Sequence, residues 1–268
     1  MKQQLLKPSQ TMFAVAIGAA ISAMPFAGDA QSSYIVNNSS GSFLSGNAPT
    51  LNYGSAGTFA ISPASAAKGE FDSVLMFNTS AAVSQFNNLW GVGNWAITGL
   101  MLSLASNFPT QGESINNPIF NNINGGSFGI DWLANNNWSA GSGGGMGGTG
   151  YPNNNSVSFD YISTLFANGS DSLGLFTYTP PGNQSYQNYN LPLDGNLVSG
   201  AEAGGAVSLY FYVPAGSQTS YLFNSQNFAS NHPEFTLTAT PTPEPATLTL
   251  VSVASAAFFM VRRQKRKP

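Results

Sequence analysis

Through the middle of the chain, short runs alternate apolar and polar residues and are cut off by Gly, Asn and Pro. A period of two predicts strands. The pattern is clearest over Phe71–Phe77, Trp95–Leu104, Leu173–Thr179, Ala206–Val213 and Phe235–Thr240. In the fourth run Val207, Leu209, Phe211 and Val213 fall on one face and Ser208, Tyr210 and Tyr212 on the other, as in a half-buried strand. Two stretches switch to helical spacing. Thr79-Ser80 opens the first, which carries Val83, Phe86, Leu89 and Trp90 and stops at Gly91. The second runs from about Ser158 to Asn168, with Phe159, Ile162, Leu165 and Phe166 in step and Gly169 as its stop. Residues 135–155 are dominated by Gly, Asn and Ser and predict a long mobile loop. The expected fold is all-β: a single β-sandwich domain with two short helices.

The two ends follow different patterns. Lys2 and Lys7, the apolar run Met12–Ala23 and the small-residue site Gly28-Asp29-Ala30 predict a signal peptide over residues 1–30, cut after Ala30. At the other end residues 240–245 form a Pro-rich linker, Thr-Pro-Thr-Pro-Glu-Pro. Pro241, Pro243 and Pro245 keep it extended. Ala246–Val261 is uncharged and, as a helix, roughly 24 Å long, enough to span a membrane once flanking side chains snorkel. Residues 262–268 hold Arg262, Arg263, Lys265, Arg266 and Lys267, which place the C-terminus in the cytoplasm. The exported domain is then residues 31–239.

Pro243-Glu244-Pro245, one apolar span and a terminal basic cluster together resemble the PEP-CTERM sorting tail of exported bacterial proteins. That resemblance implies recognition by exosortase, a membrane-embedded cysteine protease or transpeptidase. It also implies a Gram-negative-type envelope, a transient inner-membrane anchor before processing, a final place at the cell surface or in the extracellular matrix, and association with exopolysaccharide. An unprocessed C-terminal anchor is the alternative. A second resemblance lies upstream. Gly69–Asn78 and Trp95–Leu104, then Gly129–Leu133, Trp138–Gly141, Leu173–Phe176 and His232–Leu237, are similar in order to DNRLRE-type exported modules, which implies a jelly-roll-like sandwich over most of 61–239. Members often carry Glu two residues after the loop Trp; here that residue is Ala140.

Charge narrows the partners. Between Gln31 and Thr240 the only base is Lys68, against nine acids, a net −8. Nucleic acid and anionic membrane surfaces are poor partners for such a domain. Only 7% of the chain is charged and it has no cysteine, so packing and hydrogen bonds must hold the fold.

The candidate chemistry is thin. His232 stands alone and reads as a strand-entry residue; with no Gly-x-Ser-x-Gly elbow and no Lys beside the glycine run 141–148, no catalytic, cofactor or metal site is expected. Glu70 and Asp72 are read as the solvated face of a strand, opposite Val74 and Met76; a glycosidase pair is the remote alternative. Asp194-Gly195-Asn196 is read as a plain turn. Trp132, Trp138 and Tyr151 flank the Gly-rich loop and suit stacking on sugar rings, with Trp138 expected to be exposed. The reading is a non-enzymatic structural or adhesive protein, with a carbohydrate-binding module as the alternative and a carboxylate-based glycan hydrolase as the less favoured one.

Overall fold

A computed structural model describes residues 30–107, 124–144, 147–149, 156–180 and 185–242. The chain divides into Met1–Ala30 and Gln31–Pro268, and every element described lies in the second unit. Twelve strands are described: β1 (Ser32–Ser45), β2 (Leu51–Asn52), β3 (Thr58–Ile61), β4 (Phe71–Asn78), β5 (Trp95–Ala105), β6 (Gly126–Leu133), β7 (Gly148–Thr149), β8 (Ser170–Tyr178), β9 (Tyr186–Leu191), β10 (Ala206–Tyr212), β11 (Tyr221–Asn224) and β12 (Glu234–Pro241). The helices are α1 (Ser80–Trp90), α2 (Ile162–Leu165), which continues a 3-10 turn over Phe159–Tyr161, and α3 (Gly195–Glu202).

Eight strands form one antiparallel order, β8-β6-β10-β4-β1-β12-β5-β9, and the long β1 is its fold line. Up to Asn37, β1 pairs with β12; from Asn38 it pairs with β4. A register shift between Asn38 and Ser40 marks the change of partner. Such a bulge bends a strand and re-aims its side chains. The order therefore closes into two facing leaves, leaf A (β9, β5, β12, first half of β1) and leaf B (second half of β1, β4, β10, β6, β8). Their inner faces meet in one core, with Phe77 of β4 5.3 Å from Phe235 of β12 and Phe128 of β6 5.2 Å from Tyr189 of β9 between ring centroids. The all-β sandwich expected from the alternation is present.

One end of the sandwich is closed by α1 and α3. Phe86 and Ala82 of α1, and Leu197 and Ala201 of α3, plug the core there. Thr79 joins the two helices, its hydroxyl donating to the Ala201 carbonyl at 2.9 Å; the expected Thr79 cap is therefore engaged elsewhere, and the Ser80 N–H donates to Asn78 Oδ1 at 3.0 Å instead. Two short helices were expected and three are described. The extra one, α3, begins at Asp194, whose carboxylate accepts the N–H groups of Asn196 and Leu197 at 3.0 and 2.9 Å. What reads as a plain turn is a helix cap. The opposite end is closed by the β3–β11 pair, where Tyr178 and Tyr221 stack at 3.7 Å.

Leaf B carries a second layer on its outer face, made by residues 134–144 and 156–167. Leu44, Val74, Leu133 and Tyr210 of the leaf pack there against Trp138, Val157, Tyr161 and Leu165 of the layer. β10 is thus covered on both sides, and Ser208 and Tyr210, expected on a solvated face, are buried. The described part of the Gly-rich stretch is held at several points, against the expectation of a mobile loop: Val157 N–H donates to Ser139 O at 2.9 Å, Gly143 N–H to Asn52 Oδ1 at 2.7 Å, and β7 pairs with β2.

Candidate functional site

Three places combine exposed or unusual chemistry with a defined frame. The first lies under the second layer. Asp72 (β4), Tyr210 (β10) and Asp131 (β6) stand on adjacent strands of leaf B, with Tyr210 registered opposite Val74 and Asp131. The Tyr210 hydroxyl donates to Asp72 Oδ2 at 2.5 Å, and the Phe166 ring meets the Tyr210 ring edge-on at 5.0 Å. Burial pushes the Asp72 carboxyl up to about 7, the Tyr210 hydrogen bond opposes this, and the Glu70 charge adds to it. Tyr210 is pushed far above the ordinary phenol range by its own burial, with the Asp72 charge adding. Asp131 is also raised by burial, and its Oδ1 has no hydrogen-bond partner.

Asp72 is therefore not part of a solvated face. It shares its side of β4 with Val74 and Met76, as the period of two requires, and that side is roofed. Nor does it stand with Glu70 as a solvent-facing pair of carboxylates. Among the described residues no group of three or more His, Asp or Glu is placed to hold a metal ion. His232 Nε2 donates to the Phe228 carbonyl at 2.8 Å, as befits a residue at a strand entry.

The predicted aromatic platform is not assembled. Trp138 is only 7% exposed; it lies in the roof and donates from Nε1 to Ser208 Oγ at 3.0 Å, which in turn donates to Asn136 Oδ1 at 2.7 Å. Trp132 packs toward the core on the other side of leaf B, in register with Leu209. The sheet itself separates the two indoles. Tyr151 lies outside the described residues. Trp138 was expected to be exposed because it follows three Asn residues; the first of them bonds within the roof, Asn135 Nδ2 donating to Thr164 O at 3.0 Å, and the second accepts from Ser208 of β10.

The second place is the outer face of leaf A, which nothing in the described chain covers. A groove of about 460 Å³ runs along it, lined by Ser33, Thr98, Met101, Asn190, Thr236 and Thr238 among others. Ser33 and Thr238 share a 2.9 Å hydroxyl–hydroxyl bond across β1 and β12.

The third place is where the chain leaves the sandwich. β12 ends at Pro241, paired with Trp95 at the start of β5, and Thr242 N–H donates to Asn94 O at 2.9 Å. The start of β1 is beside it, since Ser32 pairs with Ala239. Both ends of the domain emerge at the helical end. Residues 241–266 match the PEP-CTERM protein-sorting motif.

The PEP-CTERM match fits the resemblance read from Pro243, Glu244 and Pro245, the apolar span and the basic cluster, and it begins on the last residue of β12. The chain carries a sorting signal for export and surface delivery, handled by exosortase, a membrane protease. The motif does not extend into the sandwich, so the similarity to DNRLRE-type modules rests on the sequence pattern alone. No curated protein matches the chain. Pro243–Pro245, the span Ala246–Val261 and the basic residues from Arg262 to Lys267 lie outside the described residues, as does all but Ala30 of the signal peptide expected over residues 1–30. Among the described residues no helix is long and apolar enough to cross a membrane.

The only base of the domain, Lys68, is half-buried and donates from Nζ to Ser220 Oγ; burial lowers its ammonium pKa to about 8. The sequence signalled neither this contact nor the Asp72–Tyr210 pair, because each joins residues well over a hundred positions apart.

Proposed function

We propose that the protein is a non-enzymatic structural or adhesive sandwich of the cell surface or extracellular matrix. In this reading a signal peptide carries it through the inner membrane, the span Ala246–Val261 holds it there, and exosortase cuts or transfers it near Pro243-Glu244-Pro245. The carrying observation is the sorting motif beginning on the last residue of β12. A folded domain joined to its signal without a spacer is built to be delivered whole. The groove on the outer face of leaf A, where Ser33, Thr98, Asn190, Thr236 and Thr238 stand beside Met101 and Leu193 and no charged side chain lines it, supports a passive matrix role.

The test is intact mass and cell fractionation of the wild type against a Pro243→Ala/Glu244→Ala/Pro245→Ala variant. Loss of the tail and surface delivery in the wild type alone supports the reading. An uncut tail and one location for both chains leaves a simple membrane anchor.

A second reading, carbohydrate binding, is favoured by the leaf A groove and not by Trp138. Its hydroxyls and the Asn190 amide would hydrogen-bond a neutral glycan, and exopolysaccharide is the partner class that the reading requires. Retardation of the protein in gels containing neutral polysaccharide, lost on Thr236→Lys, would support it; unchanged migration would remove it.

A further inference from the structure

The described domain exposes few large apolar side chains, and two of them share one turn. Leu89 is 53% exposed and Val92 82% exposed, one on the last turn of α1 and one just past its end. Trp90 lies between them, half-buried, stacked on Phe86 at 5.8 Å. From Thr79 to Trp95 there is no charged residue. The turn is also firmly mounted. Gly91, at φ +88°, closes the helix through its N–H to Asn87 O at 2.8 Å, and Trp95 Nε1 donates to Asn87 Oδ1 at 2.8 Å. A glycine at this positive φ, which other residues rarely adopt, ends the helix, and Val92 just beyond it is exposed.

The tip sits where the chain departs. Asn94, two residues after Val92, accepts the Thr242 N–H at 2.9 Å. Only three residues separate Thr242 from Ala246, the first of the apolar span. Four steps of extended chain reach about 14 Å at most. The headgroup layer on each side of a bilayer is about 5–8 Å thick. If Ala246 enters hydrocarbon, Thr242 and the helical end of the sandwich are held within about 9 Å of the headgroup layer. The start of β1, at Ser32, leaves from the same end.

We infer that Leu89, Trp90 and Val92 form a membrane-docking tip, which rests in the interfacial layer of the lipid while the tail anchors the protein. The inference rests on the proposed reading that Ala246–Val261 is embedded. Aromatic and apolar side chains without charge are what this layer accepts, Trp above all. A domain of net −8 gains nothing from lipid charge. Docking therefore depends on the tether, which holds the tip at high local concentration beside the surface, and is insensitive to salt. After the tail is cut the tip lets go.

The chain has no cysteine, so single labels are unambiguous. Full-length Val92→Cys, Ser230→Cys and Ala254→Cys proteins, each carrying a nitroxide, are reconstituted into vesicles of phosphatidylethanolamine and phosphatidylglycerol. Collision rates with oxygen and with a water-soluble nickel chelate are then measured. The expected result is oxygen-dominated collision at 92 and 254 and chelate-dominated collision at 230, which lies at the opposite end. A label at 92 in water with 254 in lipid overturns the docking tip and leaves the anchor intact. A label at 254 in water overturns the anchor itself. A label at 92 shielded from both probes means a protein contact, with a second copy or another chain, and overturns the lipid assignment. Because a nitroxide is itself apolar, an Asn88→Cys label is read with and without Leu89→Asp/Val92→Asp. The pair of charges should cut its oxygen collision rate several-fold, and an unchanged rate counts against docking.

Discussion

The two leaves of this sandwich have the same strand chemistry and opposite outer faces. Leaf B carries its own roof, in which Trp138, Tyr161, Val157 and Leu165 cover Val74, Leu133 and Tyr210. Leaf A is left bare, with Ser33, Thr98, Thr236 and Thr238 in water or lining its groove. The difference teaches which face holds the protein together and which face meets the outside. The polar residues that leaf B turns toward its roof, Ser208 and Tyr210 among them, are buried and hydrogen-bonded within the protein. Those on leaf A are exposed and free to exchange partners with water or a ligand.

The comparison breaks first at Trp138. Trp138→Ala removes a buried indole and its hydrogen bond to Ser208, and should cost about 3–5 kcal/mol by urea denaturation. A loss below about 1 kcal/mol would mean that the roof contributes little.

Next comes pH. Asp72 has a free-side-chain value of 3.8 and a folded value of about 7, so folding favours its protonated form. Its contribution is whole below about pH 4 and is lost as pH rises through about 7, up to about 4 kcal/mol in all. Asp72→Asn should therefore be increasingly stabilising relative to wild type across that window. A constant difference between the two chains from pH 4 to 8 would remove the buried carboxylate from the account.

A smaller effect is expected at Tyr210. Tyr210→Phe leaves the Asp72 carboxyl without its donor and should cost about 1–3 kcal/mol at neutral pH, read from the same unfolding curves. Smallest of all, Thr98→Ala or Thr236→Ala on leaf A should stay within about 0.5 kcal/mol. A larger loss there would show that leaf A, too, is structurally committed.

Much of the frame was legible. The five alternating runs correspond to β4, β5, β8, β10 and β12, because each carries large apolar residues on a period of two. β1 was not, since Asn37–Gly41 has no apolar residue to show alternation; that segment is held by strand partners on either side of its bulge. The sorting tail was legible because its order is written in consecutive residues. Half of the roof was legible, since the helical spacing over Ser158–Asn168 matches the 3-10 turn and α2; the 134–144 half was not, because Asn-rich sequence reads as loop whether its amides meet water or, like Asn135 and Asn136, other side chains and backbone. Asp72 was placed on the wrong side of its strand in chemical terms: period two gave its neighbours, but only the tertiary fold says that this face is covered.

Thr242 is the point through which any pull on the tail enters the domain, and β12 takes that pull along its own axis. It is bonded along its length to β1 on one side and β5 on the other. Antiparallel bonds run across the strands, so a force along β12 loads them together, as a lap joint is loaded, and does not open them one by one. A cell that tethers this protein by its C-terminal end would be holding it by a strand bonded on both edges.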